Sequence, residues 1–124
     1  MADESQCPFC EIFAGRGPAQ IVKSWLGGTY SALAIVPLKP VTEGHVLVIP
    51  SVHVPDFSTE PHVTAITMAY AAQLAAESPD DMNLITSRGR AATQSVLHLH
   101  VHLVPRHVDD GLALPWYSGK GNHT

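Results

Sequence analysis

Residues 98–102 read His98-Leu99-His100-Val101-His102, and Leu103-Val104-Pro105 follows. A neutral imidazole is a nucleophile that can also leave again, which suits covalent transfer of a phosphoryl or nucleotidyl group. It needs the correct tautomer, with one ring nitrogen held by an acceptor while the other presents its lone pair. The strict alternation of histidine with apolar residues has the period of a β-strand. The three imidazoles should therefore share one face, with neighbours roughly 6–7 Å apart. Leu97, Leu99, Val101 and Leu103 should pack from the other face into a core, whereas a helix would scatter the imidazoles around its circumference. Histidine has no special merit as a strand-face residue, so an incidental run is the weaker reading.

A second pattern that can carry chemistry is Cys7-Pro8-Phe9-Cys10. Two nearby thiolates supply half of a Zn²⁺ site, which wants four ligands, commonly mixed thiolate and imidazole. The spacing also occurs in thiol–disulfide motifs, but those lie at a strand-to-helix junction. No strand precedes Cys7 in this sequence, so redox chemistry is less favoured than either a metal pair or two metal-free cysteines. A catalytic metal held by the three histidines themselves is a weaker option.

The surrounding elements read as follows. A short helical turn covers Cys10 to Ala14 and ends at Gly15-Arg16-Gly17-Pro18. Thr29 to Val36 is a strand reached through Gly27-Gly28, and His45 to Ile49 is a second, stopped by Pro50. Ser58 or Thr59 is positioned to cap a helix with Pro61 in its first turn, running to about Ser78. Val63, Ile66, Tyr70 and Leu74 fall at helical spacing for its buried face. Met82 to Thr86 forms a third strand, and a loop from Ser87 to Thr93 leads into the histidine strand, Ser95 to Val104. Sequential strands with short links favour an antiparallel sheet with a helix on one face, an α+β arrangement.

The chain has 124 residues and is 45% hydrophobic, enough for one domain with its own core. A formal net charge of −4 argues against non-specific nucleic-acid binding. No apolar run approaches a membrane span, no signal-peptide pattern follows Met1, and two cysteines fit a reducing cytoplasm better than a disulfide. Residues 1–6 should fray. His62, His107 and His123 have no motif context and should lie on the surface.

The His98-x-His100-x-His102 pattern resembles that of the histidine triad family. Gln94-Ser95-Val96 before it, and Gly44-His45-Val46-Leu47-Val48-Ile49-Pro50 followed by His53, are similar to family segments. Cys7-Pro8-Phe9-Cys10-Glu11-Ile12 is similar to the start of its zinc-containing bacterial branch. These segments run in family order from residue 7 to about residue 107. The resemblance implies a single domain over 1–124, with a core of about 7–107 and a tail of 108–124. It implies an α+β fold with an antiparallel sheet of about five strands and one main helix, paired as a homodimer. It further implies that His100 attacks the α-phosphorus of a nucleotide while His102 bonds the phosphate oxygens or the leaving group. Gln94 and Ser95 would donate to the phosphate, His45 would border the cleft, and Phe9, Phe13 and Ile21 would form an apolar base pocket. His53 and His98 would complete a closed, structural Zn²⁺ site with Cys7 and Cys10. The implied activity is nucleotide hydrolysis or transfer, with phosphoramidates or dinucleoside polyphosphates as substrates. The alternative is a zinc-stabilised nucleotide-binding or scaffold protein with little turnover.

The sequence departs from the family pattern at three places. Pro37 stands where many members carry an aspartate that binds the ribose hydroxyls, Ser87-Arg88-Gly89 stands for an Asn-x-Gly loop, and Thr93 replaces a glycine before the glutamine. Arg88 and Arg90 could meet a phosphate, although a solvated loop is the preferred reading for both. Losing a charged acceptor for the sugar removes about 1.5–3 kcal/mol, or one to two orders of magnitude in affinity. AMP and dAMP should therefore bind with similar, weak affinity, and Pro37→Asp should improve AMP selectively where the backbone tolerates it. Calorimetry with both nucleotides checks this; a strong wild-type preference for AMP would contradict it.

Overall fold

The computed structural model describes residues 6–121. The amino-terminal segment expected to fray and His123 therefore lie outside the described residues, except for Gln6. Five strands form one antiparallel sheet: β1 (Ile21–Trp25), β2 (Ala32–Ile35), β3 (Val46–Pro50), β4 (Asp81–Ile85) and β5 (Val101–Arg106). Their spatial order is β1-β2-β3-β5-β4, so β3 and β5 lie side by side inside the sheet. Two helices accompany it, α1 (Pro8–Phe13) and α2 (Pro61–Ala76). The α+β expectation holds. β1 was not legible as a strand because it lies at a sheet edge and is largely exposed, so its residues carry no apolar alternation.

The period-2 alternation sorts side chains onto two faces. Leu33, Ile35, Leu47 and Ile49 pack with Cys7 and Phe9 on the α1 side. Ala34, Val46, Val48, Val101 and Leu103 pack against α2 on the other. The buried line of α2 is Val63, Thr67 and Ala71, each one helical turn apart. Of the positions expected there, Val63 is fully buried, whereas Ile66, Tyr70 and Leu74 flank the line and are partly exposed. Small residues at the contact let the helix approach the sheet. The Thr67 hydroxyl remains satisfied in the core by donating to Val63 O at 2.8 Å. Tyr70 stacks on Trp25 with ring centroids 4.9 Å apart and donates to Tyr30 O at 3.0 Å.

The start of α2 differs from the sequence expectation. Its N-cap is Glu60, which makes no side-chain capping bond. The hydroxyls of Ser58 and Thr59 instead donate to Asp56 Oδ1 at 2.7 and 3.3 Å. That carboxylate closes a local turn and removes both residues from the capping role. Pro61 does begin the helix, as its preset φ allows. Glu77 is the C-cap, slightly before the expected end at Ser78.

The histidine strand is also shorter than expected. β5 starts at Val101 rather than Ser95, so His102 lies in the ladder, between Leu47 and Ile85, while His98 and His100 precede it. Their segment is irregular but pinned: Leu99 N donates to Val54 O at 2.7 Å, and the Thr86 hydroxyl donates to His100 O at 2.7 Å. Leu99, Val101 and Leu103 are buried as expected, but Leu97 is 49% exposed because it precedes the pinned segment. The chain enters β3 through Gly44 at φ +87, a left-handed conformation that favours glycine. A Cβ there would also lie 3.1 Å from the Pro105 ring. At the far end of β5, Arg106 forms a double ion pair with Asp110 at 2.8 and 3.0 Å and donates to Asn83 Oδ1 at 2.6 Å, anchoring the tail.

Candidate functional site

Four imidazoles lie along the junction of β3 and β5, and their hydrogen bonds fix their tautomers. Val41 N donates to His45 Nδ1 at 3.1 Å, so the proton of neutral His45 is on Nε2. That Nε2 faces His102 Nδ1 at 3.0 Å and donates to it. The proton of neutral His102 is thereby left on its Nε2. His100 Nδ1 donates to His98 O at 2.8 Å, which leaves a lone pair on His100 Nε2. Burial depresses the pKa of both His45 and His100. Burial, reinforced by the neighbouring His100 and His45, pushes His102 down to about 4. The site thus holds a neutral nucleophilic imidazole beside a neutral imidazole N–H donor.

His100 and His102 border a cleft of about 1060 Å³, together with Ser95, Phe9 and Ile12. Its far wall is apolar, built from Ile35, Val36, Pro37, Leu38 and Pro40. Among the described residues Glu11 is the only carboxylate in the lining, and it already holds Arg16 through contacts of 2.7 and 3.2 Å. Pro37 thus faces the cleft where a sugar-binding carboxylate was lacking in the sequence. Arg16, Gln20 and Ile12 also line it, though no sequence pattern marked them. Arg16 was visible only as part of a turn after α1.

The structure treats the expected binding residues unequally. Phe9 and Ser95 line the cleft, and His45 lies behind His102. Phe13 packs beside the core on the α1 side, and Ile21 is 54% exposed on β1; neither is in the cleft lining. Gln94 is buried, and its amide is committed to the backbone. Its Oε1 accepts from Gly89 N at 2.9 Å, and its Nε2 donates to Pro55 O and Val96 O at 2.6 and 3.1 Å. In this arrangement Gln94 ties the loop before the triad to the loop after β3, rather than offering donors to the cleft. Thr93 precedes it at φ 71, a left-handed conformation costly for a β-branched residue, by about 1–3 kcal/mol. Arg88 donates to Ser58 Oγ at 3.1 Å, Arg90 is exposed, and neither lines the cleft. His62 and His107 are exposed.

Behind the triad, Cys7, Cys10, His53 and His98 converge, with their ligand atoms all within 4.8 Å of one another. The cysteines form no disulfide. His98 Nε2 donates to Pro50 O at 2.8 Å, so its Nδ1 turns a lone pair to the cluster. Cys7 Sγ is 3.4 Å from that nitrogen, His53 Nδ1 is 3.1 Å from it, and Cys10 Sγ is 3.2 Å from His53 Nδ1. A tetrahedral Zn²⁺ with ordinary bond lengths wants N···N about 3.4 Å and N···S about 3.6 Å. The donor set therefore fits a closed metal site. Two imidazole nitrogens facing each other at 3.1 Å otherwise repel unless a cation or proton lies between them. Burial lowers the pKa of His98 to about 4 and keeps it in its ligating form. The one cost is His53 Nε2, which is buried without a hydrogen-bond partner among the described residues.

Comparison with known proteins places this geometry in context. The family profile described as "HIT domain" matches residues 19–109. An uncharacterised HIT-like protein of Mycobacterium tuberculosis is 35% identical over 114 residues, covering 87% of this chain and 76% of that protein. The adenosine 5'-monophosphoramidase hnt1 of Schizosaccharomyces pombe is 34% identical over 122 residues, covering 90% of this chain and 84% of that enzyme. Among solved structures, a zinc-bound histidine triad family protein from Mycobacterium smegmatis superposes with a TM-score of 0.73 at 36% identity, covering 90% of this chain and 82% of that one.

Two outcomes follow from this geometry. Protein purified without added metal should carry close to one zinc per chain, and Cys7→Ser should lower both metal content and melting temperature. Elemental analysis and thermal denaturation check this; a metal-free protein whose stability is indifferent to the substitution would count against the site. In NMR titration, His102 should stay neutral as the pH falls through 6.5 and protonate only near 4. Titration at an ordinary histidine value would refute the buried, relayed tautomer.

Proposed function

This chain belongs to the HIT domain family, and from that membership and the site geometry we propose that it is a nucleotide hydrolase or transferase acting at the α-phosphorus through His100. The observation that carries this reading is the His98 carbonyl on His100 Nδ1, which leaves the opposite nitrogen free to attack. His100 Nε2 forms a bond to phosphorus as the bond to the leaving group breaks, the His102 Nε2–H donates a hydrogen bond to the phosphate oxygen or the leaving group, and the departing atom takes its proton from water. Water then attacks the nucleotidyl-imidazole. The water's proton passes to solvent, replacing the one given to the leaving group, and the nucleotide leaves with His100 restored. His45 holds His102 in the donating tautomer, which makes it a positioning residue.

Ser95, exposed at the cleft, is the side chain available to meet the phosphate, while Gln94 supports the loop that presents it. Phe9 contributes to an apolar base pocket. The relative that acts as an adenosine phosphoramidase supports a nucleoside phosphoramidate as substrate, and dinucleoside polyphosphates are the second candidate. Cys7, Cys10, His53 and His98 would hold Zn²⁺, and with four protein ligands the ion would have a structural rather than a catalytic role. The thiolates it needs suit the cytoplasm. Among the described residues no helix is long and apolar enough to cross a membrane. β4 is an edge strand with its outer side unpaired among the described residues, and Leu84 and Ile85 on its two faces are 40% and 38% exposed, an edge suited to the homodimer that the family resemblance implies.

One observation favours the quieter alternative of a zinc-stabilised nucleotide binder with little turnover: Pro37, which lines the cleft, has no carboxylate to accept from a sugar. A turnover assay with adenosine phosphoramidate separates the two. The wild type should hydrolyse it, and quenching with labelled substrate should trap an adduct on His100. His100→Ala should abolish both, with a loss of several orders of magnitude in kcat. An adduct on another residue, or full activity in the variant, would sink the assignment. Binding without turnover in the wild type would establish the alternative.

A further inference from the structure

Phe9 occupies an unusual position between the two parts of the site. It lies in α1 between the two cysteine ligands, is 7% exposed, and packs its ring on two triad histidines. Its centroid is 5.1 Å from that of His100 at 72°, and 5.7 Å from that of His98 at 87°. It also lines the cleft. The element that carries it is weak by itself. α1 has six residues, well short of a helix that is stable alone. Its first turn is closed through Cys7, whose Sγ accepts from Cys10 N at 3.4 Å. Both sulfurs point into the cluster with His53 and His98. The position of Phe9 is thus set jointly by its packing with Leu33, Ile35, Leu47 and Ile49 and by what draws Cys7 and Cys10 to that cluster.

The nucleophile meets the same cluster by a second route. The peptide carbonyl that fixes the His100 tautomer belongs to His98, whose own ring is a cluster ligand. The His100 ring also meets the His102 ring at 5.2 Å, but two of its supports, the edge contact from Phe9 and the acceptor from His98, are tethered to the four donors. We propose that Phe9 is a positioning residue for the His100 ring, and that the Cys7–Cys10 clip makes the nucleophile's geometry depend on metal occupancy. The Phe9 edge opposes a flip of the imidazole. The flipped ring would bring its carbon edge to the His98 carbonyl and remove the lone pair from the cleft. The turnover part of this proposal rests on His100 being the nucleophile; the ring geometry does not.

The test uses the full chain in three forms: metal-loaded wild type, wild type after chelation, and metal-loaded Phe9→Ala, with Phe9→Leu as the conservative variant. Nitrogen NMR reads the His100 tautomer, diethyl pyrocarbonate labelling with mass spectrometry reads the accessibility of its ring, and elemental analysis reads the metal. None of these needs a substrate, so their failure is distinguishable from a wrong substrate or a wrong activity. Loaded wild type should show a single Nδ1–H tautomer. Chelated protein that keeps its circular dichroism should show a mixed tautomer and faster labelling. Phe9→Ala should retain its zinc yet show the same loosening, with kcat reduced on the order of 10- to 100-fold, the scale of a small displacement of a reacting group. Phe9→Leu should fall between the two. If chelation unfolds the chain, the loaded Phe9→Ala protein decides the matter. A single tautomer and unchanged labelling in that variant would overturn the proposal, as would the same result in folded, chelated wild type.

Discussion

The His98 imidazole is fully buried, donates to Pro50 O at 2.8 Å, and turns its other nitrogen toward two sulfurs and a second imidazole. A buried imidazole with no partners would cost several kcal/mol of desolvation, about 2–7 for an unpaired polar group. Here one nitrogen is satisfied by the last residue of β3 and the other by the metal cluster. Because His98 must sit there, its backbone carbonyl is fixed, and that carbonyl sets the tautomer of His100 two residues later. A ligand of the structural site and a support of the reactive site are therefore the same residue.

The sheet supplies the stiffness this needs. β3 and β5 are neighbours inside the sheet, buried on both faces by α2 on one side and by the α1 cluster on the other. Chain entry at Gly44 and the close approach of Pro105 bring His45 against His102. From there protonation follows from geometry. Val41 N–H decides where the His45 proton lies, and His45 decides where the His102 proton lies. Burial keeps these rings neutral. A neutral imidazole carries both a lone pair that can act as a nucleophile and an N–H that can donate a hydrogen bond.

The cleft is asymmetric in a chemically meaningful way. Its lining combines the imidazoles of His100 and His102 and the Ser95 hydroxyl with apolar residues around Pro37 and Leu38. Polar selectivity is strongest where a buried donor or acceptor would be left unpaired by the wrong ligand. That condition is met at the hydrogen-bonded imidazoles of His100 and His102 and absent at Pro37 and Leu38, whose side chains carry no polar atom. Selectivity in this cleft should therefore concentrate on the group being cleaved, with the rest of the ligand read mainly by shape and apolar contact.

The sequence alone determined what depended on residue type and local spacing. The alternation of residues 98–103 specified which side chains share a face, and Leu99, Val101 and Leu103 are indeed buried opposite the histidines. Pro61 and the apolar spacing of residues 63–74 specified the main helix, and the cysteine pair offered two metal ligands, which the family resemblance completed with His53 and His98. Tertiary structure decided what local pattern cannot encode. Asp56 captured the Ser58 and Thr59 hydroxyls, so the helix starts without the expected cap. Backbone carbonyls distant in sequence captured the Gln94 amide, turning an apparent phosphate donor into a loop tie. Edge position hid β1, and the pinning of Leu99 and His100 by Val54 and Thr86 replaced the first half of the expected strand. Each of these outcomes is a competition for hydrogen-bond partners, and which partner wins depends on which groups the folded chain brings within about 3 Å.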